Sequence, residues 1–239
     1  ESSGKMEDRT QFQRDYDRII FSSPFRRMQN KTQVFPLPEH VFVHNRLTHS
    51  LEVASVGRSL GNLLAEKLAP ENQGNPMISE IGTIVSTACL AHDLGNPPFG
   101  HSGEAAISNF FEKGAGHEFE PLLTTGEWKD FTYFDGNANA FRILTHQFNG
   151  KRPGGFALTY STLAGIVKYP FESTFAVKPK FGFFQSEKED YKKIAGQLEI
   201  ESKPGNSESF CRHPLVYLVE AADDICYQIM DLEDAFKLG

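Results

Sequence analysis

His92 and Asp93 stand side by side at the end of the apolar stretch Ala88-Cys89-Leu90-Ala91, just before the loop Leu94-Gly95-Asn96-Pro97-Pro98-Phe99-Gly100-His101. Both side chains are strong donors to a divalent cation. Closing an apolar helix with them is costly unless something ligates or pairs them. Ile81, Ile84, Val85 and Ala88 share one helical face, and one further turn reaches His92, so the imidazole continues the core-facing side. An aspartate near a helix C-terminus also opposes the helix dipole, which a bound cation would offset. Taken alone, the doublet fits equally a structural histidine beside a helix-ending acid.

Two other stretches offer partners. Asn45-Arg46-Leu47-Thr48-His49-Ser50 opens a long helix to about Leu68, with Leu47, Leu51, Val56, Leu60, Leu63, Leu64 and Leu68 at mostly three- and four-residue steps and His49 near that stripe. In the last helix, about 214–238, Asp223, Tyr227 and Asp231 are spaced i, i+4, i+8 on one face with Val216 and Val219, a face expected to enter the interior. Asp224, Glu233 and Asp234 fall elsewhere and are expected to be solvated. His49, His92, Asp93 and Asp223 thus come from three helices, and two imidazoles with two carboxylates suit Mn²⁺, Fe²⁺, Co²⁺ or Mg²⁺ better than a structural zinc site. Such an ion would keep positions for water and a phosphate oxygen, the setting for metal-assisted phosphoester hydrolysis.

The elements that must hold these groups are helical, giving an all-α expectation: a helical bundle with irregular loops and little or no strand. Ser23-Pro24 reads as a helix start, Ser102 as the cap of a short helix, Asp135 as the cap of a helix to about Phe148, and Thr159–Val167 as a helix stopped by Tyr169-Pro170. Residues 111–134 read as irregular and aromatic-rich, and 171–186 as an extended connection. Residues 1–6 read as a frayed or tag-like start and 7–239 as one domain. The 239 residues carry 39% hydrophobic and 23% charged side chains and a net charge of −7, which argues against a surface given over wholly to nucleic acid but allows a local cationic pocket. No apolar run nears membrane-spanning length. The three cysteines, Cys89, Cys211 and Cys226, read as free thiols of a reducing, cytoplasmic setting.

Several ordered blocks carry a resemblance. They are Asp17-Arg18-Ile19-Ile20-Phe21-Ser22, Phe25-Arg26-Arg27, Lys31-Thr32-Gln33-Val34, Asn45-Arg46-Leu47-Thr48-His49-Ser50 and the run from His92-Asp93-Leu94-Gly95-Asn96-Pro97-Pro98-Phe99-Gly100-His101 to Ser102-Gly103-Glu104. Gly136-Asn137-Ala138, Lys168-Tyr169-Pro170, Lys180-Phe181-Gly182-Phe183-Phe184 and Ala221-Ala222-Asp223-Asp224-Ile225-Cys226-Tyr227 follow. With its H…HD…D order the chain resembles the HD-domain phosphohydrolases, and more narrowly the bacterial deoxyguanosine triphosphate triphosphohydrolases.

The resemblance implies an HD-domain helical bundle that hydrolyses a deoxynucleoside triphosphate, dGTP first, to the deoxynucleoside and tripolyphosphate. It implies one divalent ion (Mn²⁺, Mg²⁺ or Co²⁺) on His49, His92, Asp93 and Asp223, the choice of Asp223 over Asp224 resting on the family's spacing. His101 and Glu104 would be the catalytic pair beside the α-phosphate. Gln33 and Val34 would read the sugar, Arg46 and Lys168 would meet phosphates, Tyr227 would stack on the deoxyribose, and Asp231 would accept from its 3′-hydroxyl. Homo-oligomers, commonly hexamers, and activation by single-stranded DNA are also implied. Members are generally longer, so a C-terminal portion is expected beyond these residues. The competing expectations are another HD-type nucleotidase and a nucleotide-sensing module without turnover.

Overall fold

A computed structural model describes residues 9–34, 43–148 and 155–238. The expected tag-like segment 1–6 lies outside the described residues. The helices in chain order are α1 (Gln11–Ile20), α2 (Ser23–Arg27), α3 (Arg46–Leu68), α4 (Ile81–Ala91), α5 (His101–Lys113), α6 (Thr125–Thr132), α7 (Gly136–Thr145), α8 (Tyr160–Ile166), α9 (Lys188–Gln197) and α10 (Val216–Leu238), with short 3₁₀ turns between several of them. A two-stranded antiparallel hairpin, β1 (Ser202–Lys203) and β2 (Asn206–Phe210), precedes α10. The all-α expectation holds, with this hairpin as the small strand content.

Helix α4 is the central post. Its sequence is apolar on every side, and every residue of it but Thr83 is buried, as a helix without a polar face must be. Helices α1, α3, α8 and α10 pack around it. The contact with α3 is close because glycines line it: a Cβ on Gly61 would come 2.7 Å from the Gly82 Cα. Helix α3 starts where the sequence indicates, with Asn45 accepting from the Thr48 amide and Thr48 Oγ1 accepting from the Asn45 amide, a reciprocal cap that satisfies otherwise unpaired donors. Thr159 caps α8 and Asp135 caps α7. Helix α7 ends at Thr145, short of the expected Phe148.

Other expectations are corrected. Residues 111–134 are mostly helical: α5 runs to Lys113, a 3₁₀ stretch spans Ala115–Leu122, and α6 follows under a Thr124–Glu127 capping box. Ser102 is not a cap; α5 begins at His101 with Gly100 at the cap position, its φ of +53° left-handed. Along α10, Val216 and Val219 are buried but Tyr227 is 55% exposed, so the expected interior face is interrupted at mid-helix. Asp234, expected in solvent, is buried: its carboxylate accepts from the His44 amide at 2.9 Å and meets His44 Nδ1 at 2.9 Å.

Candidate metal centre and active site

The end of α4 delivers the doublet. His92 occupies the C-cap position, where its Nδ1 lies 2.6 Å from the Cys89 carbonyl. A carbonyl only accepts, so Nδ1 carries a hydrogen and the Nε2 lone pair is left free when the ring is neutral. Nε2 is buried without a hydrogen-bond partner, 3.5 Å from oxygens of both Asp93 and Asp223. An orphaned basic nitrogen between two carboxylates is what a cation-ligating imidazole presents. From the first turn of α3, His49 meets the His92 ring at 5.6 Å between centroids, and its Nε2 lies 2.9 Å from Asp223 Oδ1. Donor atoms of His49, His92 and Asp93 lie within 4.8 Å of one another, a group able to hold a metal ion. Asp223, from the first half of α10, reaches both imidazoles. The four side chains expected to ligate are therefore together.

Their electrostatics are those of a charged cluster taken out of water. Burial alone would lower the His92 pKa, but Asp93 and Asp223 override it and hold the imidazole up to about 9. Burial would raise Asp223; His49 and His92 outweigh it and hold the carboxylate well below its usual range. Asp93 is likewise lowered against its burial by His92 and Arg46. A proton and a divalent cation compete for the His92 lone pair, so binding the ion releases the proton. The residues present fit a hard or borderline divalent cation with mixed nitrogen and oxygen ligands.

Asp93 is fixed from both sides: Arg46 Nη1 donates to its Oδ2 and Asn96 Nδ2 to its Oδ1. Arg46 is thus a partner of the doublet, itself buried, with its Nε unpaired. The loop after the doublet turns through Phe99 and Gly100, both at positive φ, to place His101 at the start of α5. A bulky residue at positive φ is strained, and such strain gathers at functional loops.

One cavity joins these groups. Its lining includes His92, Asp93, His101, Glu104, Lys168 and Asp223. The His101 side chain is 86% exposed, its Nδ1 3.8 Å from Glu104 Oε2. Glu104 is buried and accepts from the Gly136 amide at 2.8 Å. Lys168 pairs with Glu220 at 2.9 Å; burial would lower its pKa, but the bond to Glu220 raises it. Gln33, Val34, Arg46, His49, Tyr227 and Asp231 do not line this cavity among the described residues; Arg46, expected to meet phosphates, pairs instead with Asp93 behind it. Among the described residues the Gln33 amide oxygen is nonetheless buried without a partner, while Val34 is 46% exposed. Cys89 and Cys226 are free and buried, and burial raises both thiols.

Sequence reading assigned no role to Asn96, Asn137, Tyr169 or Lys180, all of which line the cavity. The available signal was Lys180 heading an aromatic run, since an ammonium among Phe181, Phe183 and Phe184 must find anions. It does, at Glu104 (3.5 Å) and Asp135 (3.4 Å).

Comparison with known proteins agrees with this geometry. Residues 46–133 match the HD domain family model, a span that includes His49, His92, Asp93, His101 and Glu104. The chain is 46% identical over 245 residues to a deoxyguanosinetriphosphate triphosphohydrolase-like protein of Synechocystis sp., covering 97% of this chain and 56% of that one. It is 49% identical over 239 residues to a protein of the same name from Pseudomonas aeruginosa (96% and 53%), and 36% identical over 265 residues to the deoxyguanosinetriphosphate triphosphohydrolase of Yersinia enterocolitica (95% and 50%). The chain spans about half the length of these curated relatives. It belongs to the HD-domain family, in the group of the deoxyguanosinetriphosphate triphosphohydrolase-like proteins.

Proposed function

We propose that this protein hydrolyses a deoxynucleoside 5′-triphosphate, dGTP first, at the α-phosphorus, releasing the deoxynucleoside and tripolyphosphate, with residues 7–239 acting as one HD unit. The observation that carries the reading is the convergence on one cavity of the His92, Asp93 and Asp223 donors, the exposed imidazole of His101 with Glu104 behind it, and the ammonium groups of Lys168 and Lys180. The names of the relatives supply the substrate class.

His49, His92, Asp93 and Asp223 would hold the divalent ion, and when bound it supplies Lewis-acid polarisation of the phosphoryl group and of the attacking water. The chain's own side chains do the rest. Lys168 and Lys180 offset the charge of the triphosphate, a local cationic lining within an acidic protein. His101, free on its solvent side, donates a proton to the 5′ oxygen as its bond to phosphorus breaks, and Glu104 orients that imidazole. Water adds its oxygen to the α-phosphorus and its proton passes to solvent. Gln33 offers its unpaired amide oxygen to the sugar, beside Val34, and Tyr227 and Asp231 extend the sugar-binding surface along α10. Mn²⁺, Mg²⁺ and Co²⁺ all suit the donor set.

The deciding experiment is turnover of all four deoxynucleoside triphosphates with Mn²⁺, the phosphate product separated by ion chromatography. Tripolyphosphate supports the reading. Orthophosphate would instead identify another HD-type nucleotidase, and ligand binding without turnover a nucleotide-sensing module. Assembly into homo-oligomers and activation by single-stranded DNA belong to the same proposal; light scattering and oligonucleotide addition to the assay test them. No helix among the described residues is long and apolar enough to cross a membrane.

A further inference from the structure

Glu104 owes both of its inward contacts to a residue outside the cavity. Its Oε1 accepts from the Gly136 amide at 2.8 Å, and its Oε2 lies 3.5 Å from Lys180 Nζ. Asp135 organises both donors. It is completely buried and caps α7, its Oδ1 accepting from the Asn137 amide at 3.1 Å and the Asn137 side chain at 2.9 Å, which sets the turn presenting the Gly136 N–H. The same oxygen draws Lys180 to 3.4 Å, while Oδ2 accepts from the Phe181 amide at 2.9 Å and fixes the backbone beside that lysine. Charges therefore alternate from the interior outward: Asp135, Lys180, Glu104, then His101.

Space at this junction is as restricted as its charge. A Cβ on Gly136 would come 2.1 Å from Asn96 Oδ1 and 3.0 Å from Glu104 Oε1. Asn96 in turn donates to Asp93, and Asn139 of α7 donates to the Gly95 carbonyl at 2.8 Å. The first turn of α7 thus touches the loop that follows the metal doublet and the acid that backs His101. A shift of this turn changes the separation between the two.

We propose that Asp135 is a positioning residue of the His101–Glu104 pair, acting through Lys180 and the Gly136 amide to aim the Glu104 carboxylate at the imidazole. The inference rests on the functional reading above for the role of His101. Asp135 does not line the cavity, so its effect on the reaction passes through the residues that it holds, Lys180 and the first turn of α7, both of which contact Glu104. Asn at this position keeps the helix cap but replaces one acceptor oxygen by a donor and removes the charge facing Lys180.

The test is a double-mutant cycle of Asp135→Asn with Glu104→Gln, read in kcat, KM and Mn²⁺ affinity, together with ¹⁵N NMR of the His101 ring. The expected result for Asp135→Asn is a kcat at least tenfold lower, KM and Mn²⁺ affinity within twofold of the parent, and no further loss in the Glu104→Gln background. The His101 nitrogen shifts should move in the same direction in both single variants. Losses that multiply, a loss confined to KM, or unchanged His101 shifts in Asp135→Asn would overturn the proposal. Should Asp135→Asn fail to fold by circular dichroism, Lys180→Met takes its place in the NMR comparison alone: its His101 shifts should move as in Glu104→Gln, and unchanged shifts would overturn the proposal. If the parent protein turns over no deoxynucleoside triphosphate, the functional reading fails on its own, and the His101 shifts still decide whether Asp135 governs that ring.

Discussion

At the scale of single residues, the site is a set of charges whose burial is tolerable only because each has a partner. Asp93 shows this most directly. Arg46 and Asn96 occupy one lone pair on each oxygen, and the carboxylate also faces Asp223. Removing the guanidinium leaves a buried negative charge beside another, a loss on the order of 3 kcal/mol for broken buried pairs. Arg46→Met should therefore destabilise the metal-free protein by about 3 kcal/mol in urea titration, and saturating Mn²⁺ should recover part of it, because the ion substitutes for the missing cation. A loss below about 1 kcal/mol, or one that Mn²⁺ does not reduce, would show that Arg46 is not the counter-charge of the doublet. These partners were only partly legible in the sequence. His49, His92, Asp93 and Asp223 stand out because donors at the ends and faces of apolar helices have few other uses. Asp135 reads only as a helix cap and Lys180 only as a cation among aromatic residues, and nothing links either to Glu104 until the fold brings residues 104, 135 and 180 together.

At the scale of elements, capping chemistry announced α7, a proline stop bounded α8, and periodicity announced α3 and α10. Sequence reading failed where helices are short and apolar residues follow no single period. Phe111, Trp128 and Phe131 look like irregular chain, yet their rings meet across α5 and α6: Phe111 lies 4.5 Å from Phe131 and 6.4 Å from Trp128 between centroids. Tertiary packing, not local periodicity, makes these turns helical. A buried acid ties this subdivision to the body. Asp130 of α6 accepts from Ser173 Oγ at 2.6 Å and from the Gln185 amide at 2.7 Å. Burial raises its pKa to about 6 because these bonds only partly compensate. The folded pKa exceeds the unfolded one, so the stabilising contribution is complete below pH 4 and disappears as pH rises through about 6. Asn has no such titration and can still accept from the Gln185 amide. Asp130→Asn should therefore gain stability relative to the parent as pH rises from 4.5 to 7.5, by about 2 kcal/mol. A difference in melting temperature that is constant across this range would show that Asp130 titrates normally.

At the scale of the whole molecule, the candidate ligands hold together elements far apart in the chain. His49 comes from α3, His92 and Asp93 from the end of α4, and Asp223 from α10. These three helices also form much of the core, through Val53, Ala88, Cys89, Ala222 and Cys226. That arrangement links metal binding to global stability, since an ion that binds only the folded site adds RT ln(1 + [L]/Kd), about 2.7 kcal/mol at a hundredfold excess over Kd. For a chain of this size that is a rise on the order of 5–10 °C in melting temperature. Chelator-treated protein should melt lower by this amount than protein with Mn²⁺ at a hundred times Kd. Asp223→Ala tests which helices the ion spans. If α10 contributes a ligand, the variant should lose most of the Mn²⁺-dependent rise. An undiminished rise in Asp223→Ala would confine the ion to His49, His92 and Asp93, and would leave α10 joined to the site by packing alone. The distinction bears on activity as well, because α10 also carries Tyr227 and Asp231. Anchoring that helix through the ion would place the proposed sugar contacts and the proposed phosphate chemistry on one rigid frame.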